Sequence, residues 1–186
     1  APAIFLFLLH AQKPRAAFWL GFCYGLSLFG IGVSWFFVSI HTFGGTGVFL
    51  SAVFTSLPII AMSCILGIGC YLANRITRNN TGVKVLLLIP SLILLTEWVR
   101  HWLFSGFPWL QFGDSQAQGI LGGFIPIVGR LGETWVVWFM AGLLYLVIKR
   151  RQLRQYFAIV AFMLMWISGV RLNHINWTKP TGKTLS

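Results

Sequence analysis

Glu97, Asp114 and Glu133 are the only acidic residues in the chain, and all three fall between residues 97 and 133. Around them lie Arg100, Gln111, Gln116 and Arg130, with Phe107, Pro108 and Trp109 close by in sequence. Two kinds of chemistry suit this set. Glu97 with Arg100, and Arg130 with Glu133, are spaced three apart, so on a helix each pair shares a face and can form an ion pair. A carboxylate at a helix start, as expected for Glu133, also suits the helix dipole. The second chemistry is recognition: rings that take an apolar chain, with amides and charges among them that take a polar head. On this reading Glu97, Arg100, Phe107, Pro108, Trp109, Gln111 and Gln116 form a substrate-binding surface for lipid, and Arg130 with Glu133 is a structural pair at a helix end.

Bond-making chemistry is harder to find. The chain has no HExxH, no GxSxG, no phosphate-binding loop and no acid pair beside a nucleophile. His10, His41, His101 and His174 are scattered over different segments. Cys23, Cys64 and Cys70 lie in apolar runs, lack metal-ligand spacing and read as buried small hydrophobes. No catalytic residue, metal or cofactor is expected in this chain.

The elements that must position these groups are membrane helices. The chain is 57% hydrophobic and 9% charged, whereas soluble domains carry about a quarter of their residues charged. A net charge of +11 could suit nucleic acid, but the basic residues form short runs between apolar stretches, as topology signals and contacts to anionic headgroups do. No nucleic-acid partner is expected. The opening run, 1–12, has about half the ~20 residues that cross a bilayer and no basic leader before it, so it reads as the end of a truncated helix. Complete spans are expected near 16–40, 47–73 (with Pro58 as a kink), 85–105, 133–148 and 156–172. The fold class is therefore all-α, a polytopic transmembrane helix bundle over 1–172, with five complete spans and a truncated first one. Gly21 and Gly25 form a GxxxG, which lets two helices approach closely.

Sidedness follows from the basic loops. Lys13 and Arg15, then Arg75, Arg78 and Lys84, then Lys149, Arg150, Arg151 and Arg154 occupy alternate loops, which the positive-inside bias places in the cytoplasm. The turn "HTFGG", residues 106–130 and the C-terminal tail then lie on the outer face. Residues 106–130 are long for a connection between spans and rich in Gly and Pro, so they read as an interfacial outer loop. Gln111, Asp114, Ser115, Gln116 and Gln118 are expected to satisfy its backbone. Trp102 and Trp109 suit the aromatic belt.

Three stretches, "GFCYGLSLFGIGVSWFFVSIHTFGG", "TEWVRHWLFSGFPWLQFGDSQ" and "PIVGRLGETWVVWFMAGLLYLV", resemble in that order the membrane half of the bacterial apolipoprotein N-acyltransferases. The "SGFPWLQFG…SQ" string after "EWVR" is the most specific part, and the similarity covers nearly the whole chain. Such a resemblance implies a multi-pass protein of the bacterial inner membrane, with its C-terminal tail in the periplasm. It also implies a periplasmic nitrilase-like domain, toward which 173–186 would be the linker. The implied reaction takes an acyl chain from a membrane phospholipid onto a cysteine as a thioester. It then passes the chain to the α-amino group of the diacylglyceryl-cysteine of a lipoprotein. The implied Glu-Lys-Cys triad belongs to the nitrilase-like domain and has no counterpart in this sequence, so the 186-residue chain alone is expected to be inactive, serving as membrane anchor and lipid platform. Incubated with a labelled phospholipid, it should form no thioester. Asp114 departs from the family pattern, where an uncharged residue is usual. Two other readings are a small transporter or channel subunit, and an inert remnant of a truncated gene.

Overall fold

The computed structural model of the chain describes residues 2–77, 80–103, 106–149 and 152–177, without the side chains of 152–154. Helices follow one another as α1 (Pro2–His10), α2 (Pro14–Gly32), α3 (Trp35–Val38) with a π turn (Ser39–Phe43), and α4 (Val48–Ile76). Then come α5 (Thr81–Val83), a second π turn (Lys84–Leu88), α6 (Ile89–Arg100), 3-10 turns at Gly113–Gln116 and Ile120–Phe124, α7 (Ile125–Ile148) and α8 (Gln152–Asn173). Among the described residues there is no strand. Four helices, Val48–Ile76, Thr81–Arg100, Ile120–Ile148 and Gln155–Asn173, are long and apolar enough to cross a membrane, and α2 with α3 makes a fifth if counted as one bent span. The protein is an all-α polytopic bundle.

The bend corrects the straight span expected over 16–40. α2 and α3 meet at 47°. Gly30 and Gly32 weaken the end of α2, and the Ser34 hydroxyl then donates to the Ile31 carbonyl at 2.8 Å, competing with the next helical bond. Proline has the opposite outcome in α4, which runs unbroken through Pro58. The third span starts earlier than expected, at Thr81, because Asn80 caps it by accepting the Val83 N–H at 3.3 Å. It ends at Arg100 rather than 105. α7 starts at Ile125 rather than 133: Pro126 sits in its first turn, where a proline costs no helical bond. Gly129 then interrupts it with φ 70 and ψ 175, a conformation open to glycine.

Two seams hold the bundle. Along the first, α2 lies on α4 through Gly21 and Gly25: a Cβ at Gly25 would stand 2.8 Å from the Ser63 Cα, and one at Gly21 would stand 2.7 Å from the Cys70 Sγ. The GxxxG is thus a packing device, and it leaves Cys70 buried. Cys64 is half-buried and Cys23 is exposed, against the expectation for both. Cys23 is two residues from each glycine, about 200° round the helix from the seam. The second seam packs Leu6, Leu9, Val85, Ile89, Trp138 and Tyr145, which ties α1, the second π turn, α6 and α7 together.

Candidate functional site

Glu97 is the organising residue of the end of the bundle where α6 stops. It lies in the last turn of α6, 1% exposed, with Arg100 (5% exposed) on the same face. Arg100 Nη2 is 3.8 Å from Glu97 Oε1, so the pair expected from the spacing forms. The same oxygen accepts the backbone N–H of Phe112 at 2.8 Å. Its partner oxygen accepts the Thr134 hydroxyl at 2.5 Å, and that hydroxyl accepts the Gly113 N–H at 2.9 Å. One buried carboxylate therefore joins α6, the segment after residue 106, and α7. A buried backbone N–H needs an acceptor, and here Glu97 and Thr134 supply it. The amides expected to satisfy the loop do not perform this task.

The segment between is drawn tight against α6. The Phe107 N–H donates to the Arg100 carbonyl at 2.7 Å, with Gly106 at φ 86 making the turn. Arg100 Nη1 donates to the Trp109 carbonyl at 3.3 Å, and its guanidinium lies 4.8 Å above the Phe29 ring. Leu110 takes φ 58, the one positive value at a non-glycine among the described residues. This backbone is costly for a side chain. It is held because the Leu110 side chain packs directly on Gly32 and joins the cluster of Phe29, Val33 and Met62. His101 Nδ1 donates to the Glu97 carbonyl at 2.9 Å, and the Gln111 amide donates to His101 Nε2 at 2.8 Å. That ring is thus the Nδ1–H tautomer.

Between α3, α4 and this segment lies an apolar cavity of about 320 Å³, lined among others by Trp35, Phe36, Met62, Arg100, Phe107 and Trp109. Trp109 is 56% exposed, so it stands at the rim, edge-on to Phe107 with ring centres 5.0 Å apart and to Trp35 at 6.5 Å. Such a space can take a hydrocarbon chain, with the guanidinium of Arg100 as its one charged wall.

The candidate residues are thus only partly gathered. Glu97, Arg100, Phe107, Trp109 and Gln111 come together, and Pro108 is exposed beside them. Gln116 lies apart, lining another apolar cavity with Pro2, Ile120, Val137 and Phe162. The Arg130–Glu133 pair does not form. Arg130 donates through Nε to Asp114 at 2.9 Å, while both oxygens of the buried Glu133 have no hydrogen-bond partner among the described residues. The left-handed Gly129 and the exposure of Arg130 turn the guanidinium outward to Asp114, whose acidic side chain thereby gains a partner. Sequence reasoning missed Thr134, a hydroxyl in an otherwise apolar run beside Glu133, and Asn173, whose amide holds the Gly119 and Ile120 carbonyls at 3.1 and 3.0 Å. It also missed the wall formed by Trp35, Phe36 and Met62. Among the described residues no three His, Cys, Asp or Glu side chains converge as a metal would need.

Comparison with known proteins gives this end of the bundle its context. Residues 1–143, which hold the whole Glu97 network and the cavity, match a family model described as the apolipoprotein N-acyltransferase N-terminal domain. The chain belongs to the apolipoprotein N-acyltransferase family. Curated relatives of that name include one from Methylococcus capsulatus, 36% identical over 94% of this chain and 34% of its own length. One from Vibrio cholerae is 36% identical over all of this chain and 36% of its own, and one from Coxiella burnetii is 32% identical over all of this chain and 39% of its own. The chain therefore spans 34–39% of the length of these apolipoprotein N-acyltransferases.

Proposed function

We propose that this chain is the membrane part of an enzyme that moves a fatty acyl chain from a phospholipid to the α-amino group of a lipoprotein's diacylglyceryl-cysteine. The cavity at Trp109 carries this reading. A saturated chain is rewarded only where it leaves water or lipid for a shaped apolar wall, and the α3–α4 cleft offers one beside a single buried cation. The acyl chain enters between Trp35 and Trp109 and lies along Met62 and Phe36. The ester and phosphate of the donor remain at the rim. Arg100 is held by Glu97 and draws the polar end inward.

In this reading residues 1–172 are the anchor and lipid platform, and 173–186, of which 178–186 lie outside the described residues, lead to the nitrilase-like domain. The outer end faces the periplasm of a bacterial inner-membrane protein, and the basic loops face the cytoplasm. The bonds change in the remaining two thirds of the enzyme. A cysteine thiolate attacks the donor ester and a lysophospholipid leaves; the lipoprotein amine then attacks the thioester and the thiol leaves with a proton. This is covalent catalysis in two transfers, and the platform's contribution is to hold the donor in reach.

In the full-length enzyme, Trp109→Ala should slow acyl transfer about tenfold, the scale of a partly exposed ring lost from a hydrophobic contact. The melting temperature in detergent should not change, because Trp109 is at the rim and not in the core. Unchanged turnover with purified diacylglyceryl-lipopeptide would overturn the placement of the donor chain in this cavity.

A further inference from the structure

The opposite end of the bundle gathers cations without an acid. Lys84, in the second π turn, is 5% exposed, and its ammonium donates to the backbone carbonyl of His10 at 3.0 Å. His10 Nε2 is 3.2 Å from the Thr81 hydroxyl, and its ring centre is 5.2 Å from that of Tyr145. Lys149 in turn donates to the Tyr145 hydroxyl at 2.7 Å. His10 thus stands between Lys84, which is held on its carbonyl, and Tyr145, which carries Lys149, at the junction of α1, α5 and α7. Asn74 brings the end of α4 to the same place by donating to the Leu9 carbonyl at 2.9 Å, and Arg75 follows it in sequence.

No carboxylate of this chain can neutralise the group. Glu97 is 13 residues along the same helical run from Lys84, about 20 Å at the helical rise. Glu133 is 16 residues from Lys149 along α7, about 24 Å. Asp114 is engaged by Arg130 near the outer end. A buried ammonium is tolerated when paired or fully hydrogen-bonded. Here the one recorded acceptor among the described residues is a neutral carbonyl, which leaves two N–H donors of a Lys ammonium to be met.

We propose that Lys84, Lys149 and His10, with the Thr81 and Tyr145 hydroxyls, bind the phosphate of an anionic phospholipid in the leaflet that holds the basic loops. Charge complementarity selects the class: a zwitterionic headgroup would add its own ammonium to those of Lys84 and Lys149, and a net-anionic one does not. The surroundings select a lipid over a soluble anion. Phe7, Leu8, Leu87 and Ile148, on the elements that carry the site, are all exposed, and the Phe7 ring lies 4.7 Å from Tyr145. A phosphate that reaches Lys84 can lay its acyl chains over these side chains. Basic pockets between membrane helices take such headgroups elsewhere. The site is separate from the cavity at Trp109, and the bound lipid is a staple that ties α1, α5 and α7 together.

The test uses the full-length protein in nanodiscs of phosphatidylcholine, with and without phosphatidylglycerol, read by melting temperature and by native mass spectrometry of retained lipid. Phosphatidylglycerol should raise the melting temperature and be retained. Lys84→Met should abolish both effects, and exposed Lys149→Gln, which does not endanger folding, should weaken retention about fivefold, the scale of one basic side chain at an anionic surface. Arg171→Gln, near the other end of α8, should leave both unchanged. Equal melting in the two lipids, or a full rise in both lysine variants, would overturn the site. An equal rise on adding inorganic phosphate to phosphatidylcholine discs would overturn its assignment to a lipid. Neither result bears on acyl transfer at Trp109, so this proposal and the functional one fail separately.

Discussion

Glu97→Ala is expected to destabilise the bundle by about 3–5 kcal/mol, the cost of removing one partner from a buried ion pair. Two groups lose their acceptor at once, the Phe112 N–H and the Thr134 hydroxyl, and the Arg100 guanidinium loses its counter-charge. Arg100 is the most consequential, because it is 5% exposed and its one hydrogen-bond acceptor among the described residues is the Trp109 carbonyl. The segment from Phe107 to Gly113 then loses its attachment to α6. Glu97→Gln separates charge from hydrogen bonding. Its amide oxygen can still accept from Phe112, and its NH2 can donate to the Thr134 hydroxyl, which retains a free lone pair after accepting from Gly113. The glutamine variant should therefore melt between wild type and alanine. Thermal unfolding in detergent of the three proteins checks the order, and an alanine variant as stable as wild type would remove Glu97 from its organising place.

A comparable loss is expected from one glycine and not from its neighbour on the same helix. At Gly25 an added Cβ meets the Ser63 Cα at 2.8 Å and its Cβ at 3.0 Å. Backbone cannot rotate away as a side-chain tip can, so α2 and α4 must separate along the whole seam. Overpacking of this kind costs about 1–3 kcal/mol, occasionally more, and Gly25→Leu should reach or exceed the upper figure. At Gly30 nothing stands within 4 Å. Gly30→Ala should therefore be neutral or stabilise by about 0.5–1 kcal/mol, the gain in helix propensity. Unfolding of the two variants side by side isolates the clash from the general effect of replacing a helical glycine; equal stability would dismiss the seam.

These residues also show what a one-dimensional pattern can and cannot carry. The number of apolar stretches, the GxxxG and the Glu97–Arg100 pair were legible because each depends on spacing within one helix. The partners of Glu97 across 15 and 37 residues were not, because spacing says nothing about which backbone N–H will arrive at a carboxylate. Arg130 and Glu133 had the right separation and the wrong surroundings: Gly129 broke the helix just before them and Asp114 was in reach. Pro126 read as an interruption, yet it starts a helix, whereas Pro58 lies within a continuous helix, inside the one span expected there. The 47° bend after Gly32 came from a hydroxyl competing for a carbonyl, in a stretch that composition alone makes a plain span. The cavity followed from that bend, which brings Trp35 and Phe36 opposite Trp109, so its far wall was unreadable although its near wall was in the most specific string of the sequence.

The reach of Glu97 along the chain also sets an order on biogenesis. Its hydroxyl partner is made 37 residues later, which at about 5–20 residues per second is a delay of roughly 2–7 s on the ribosome. Throughout that interval the nascent α6 carries its carboxylate with Arg100 as sole counter-charge. The Glu97 carboxylate thus gains its hydroxyl donor only once α7 arrives, so α6 is expected to settle in the bilayer together with α7.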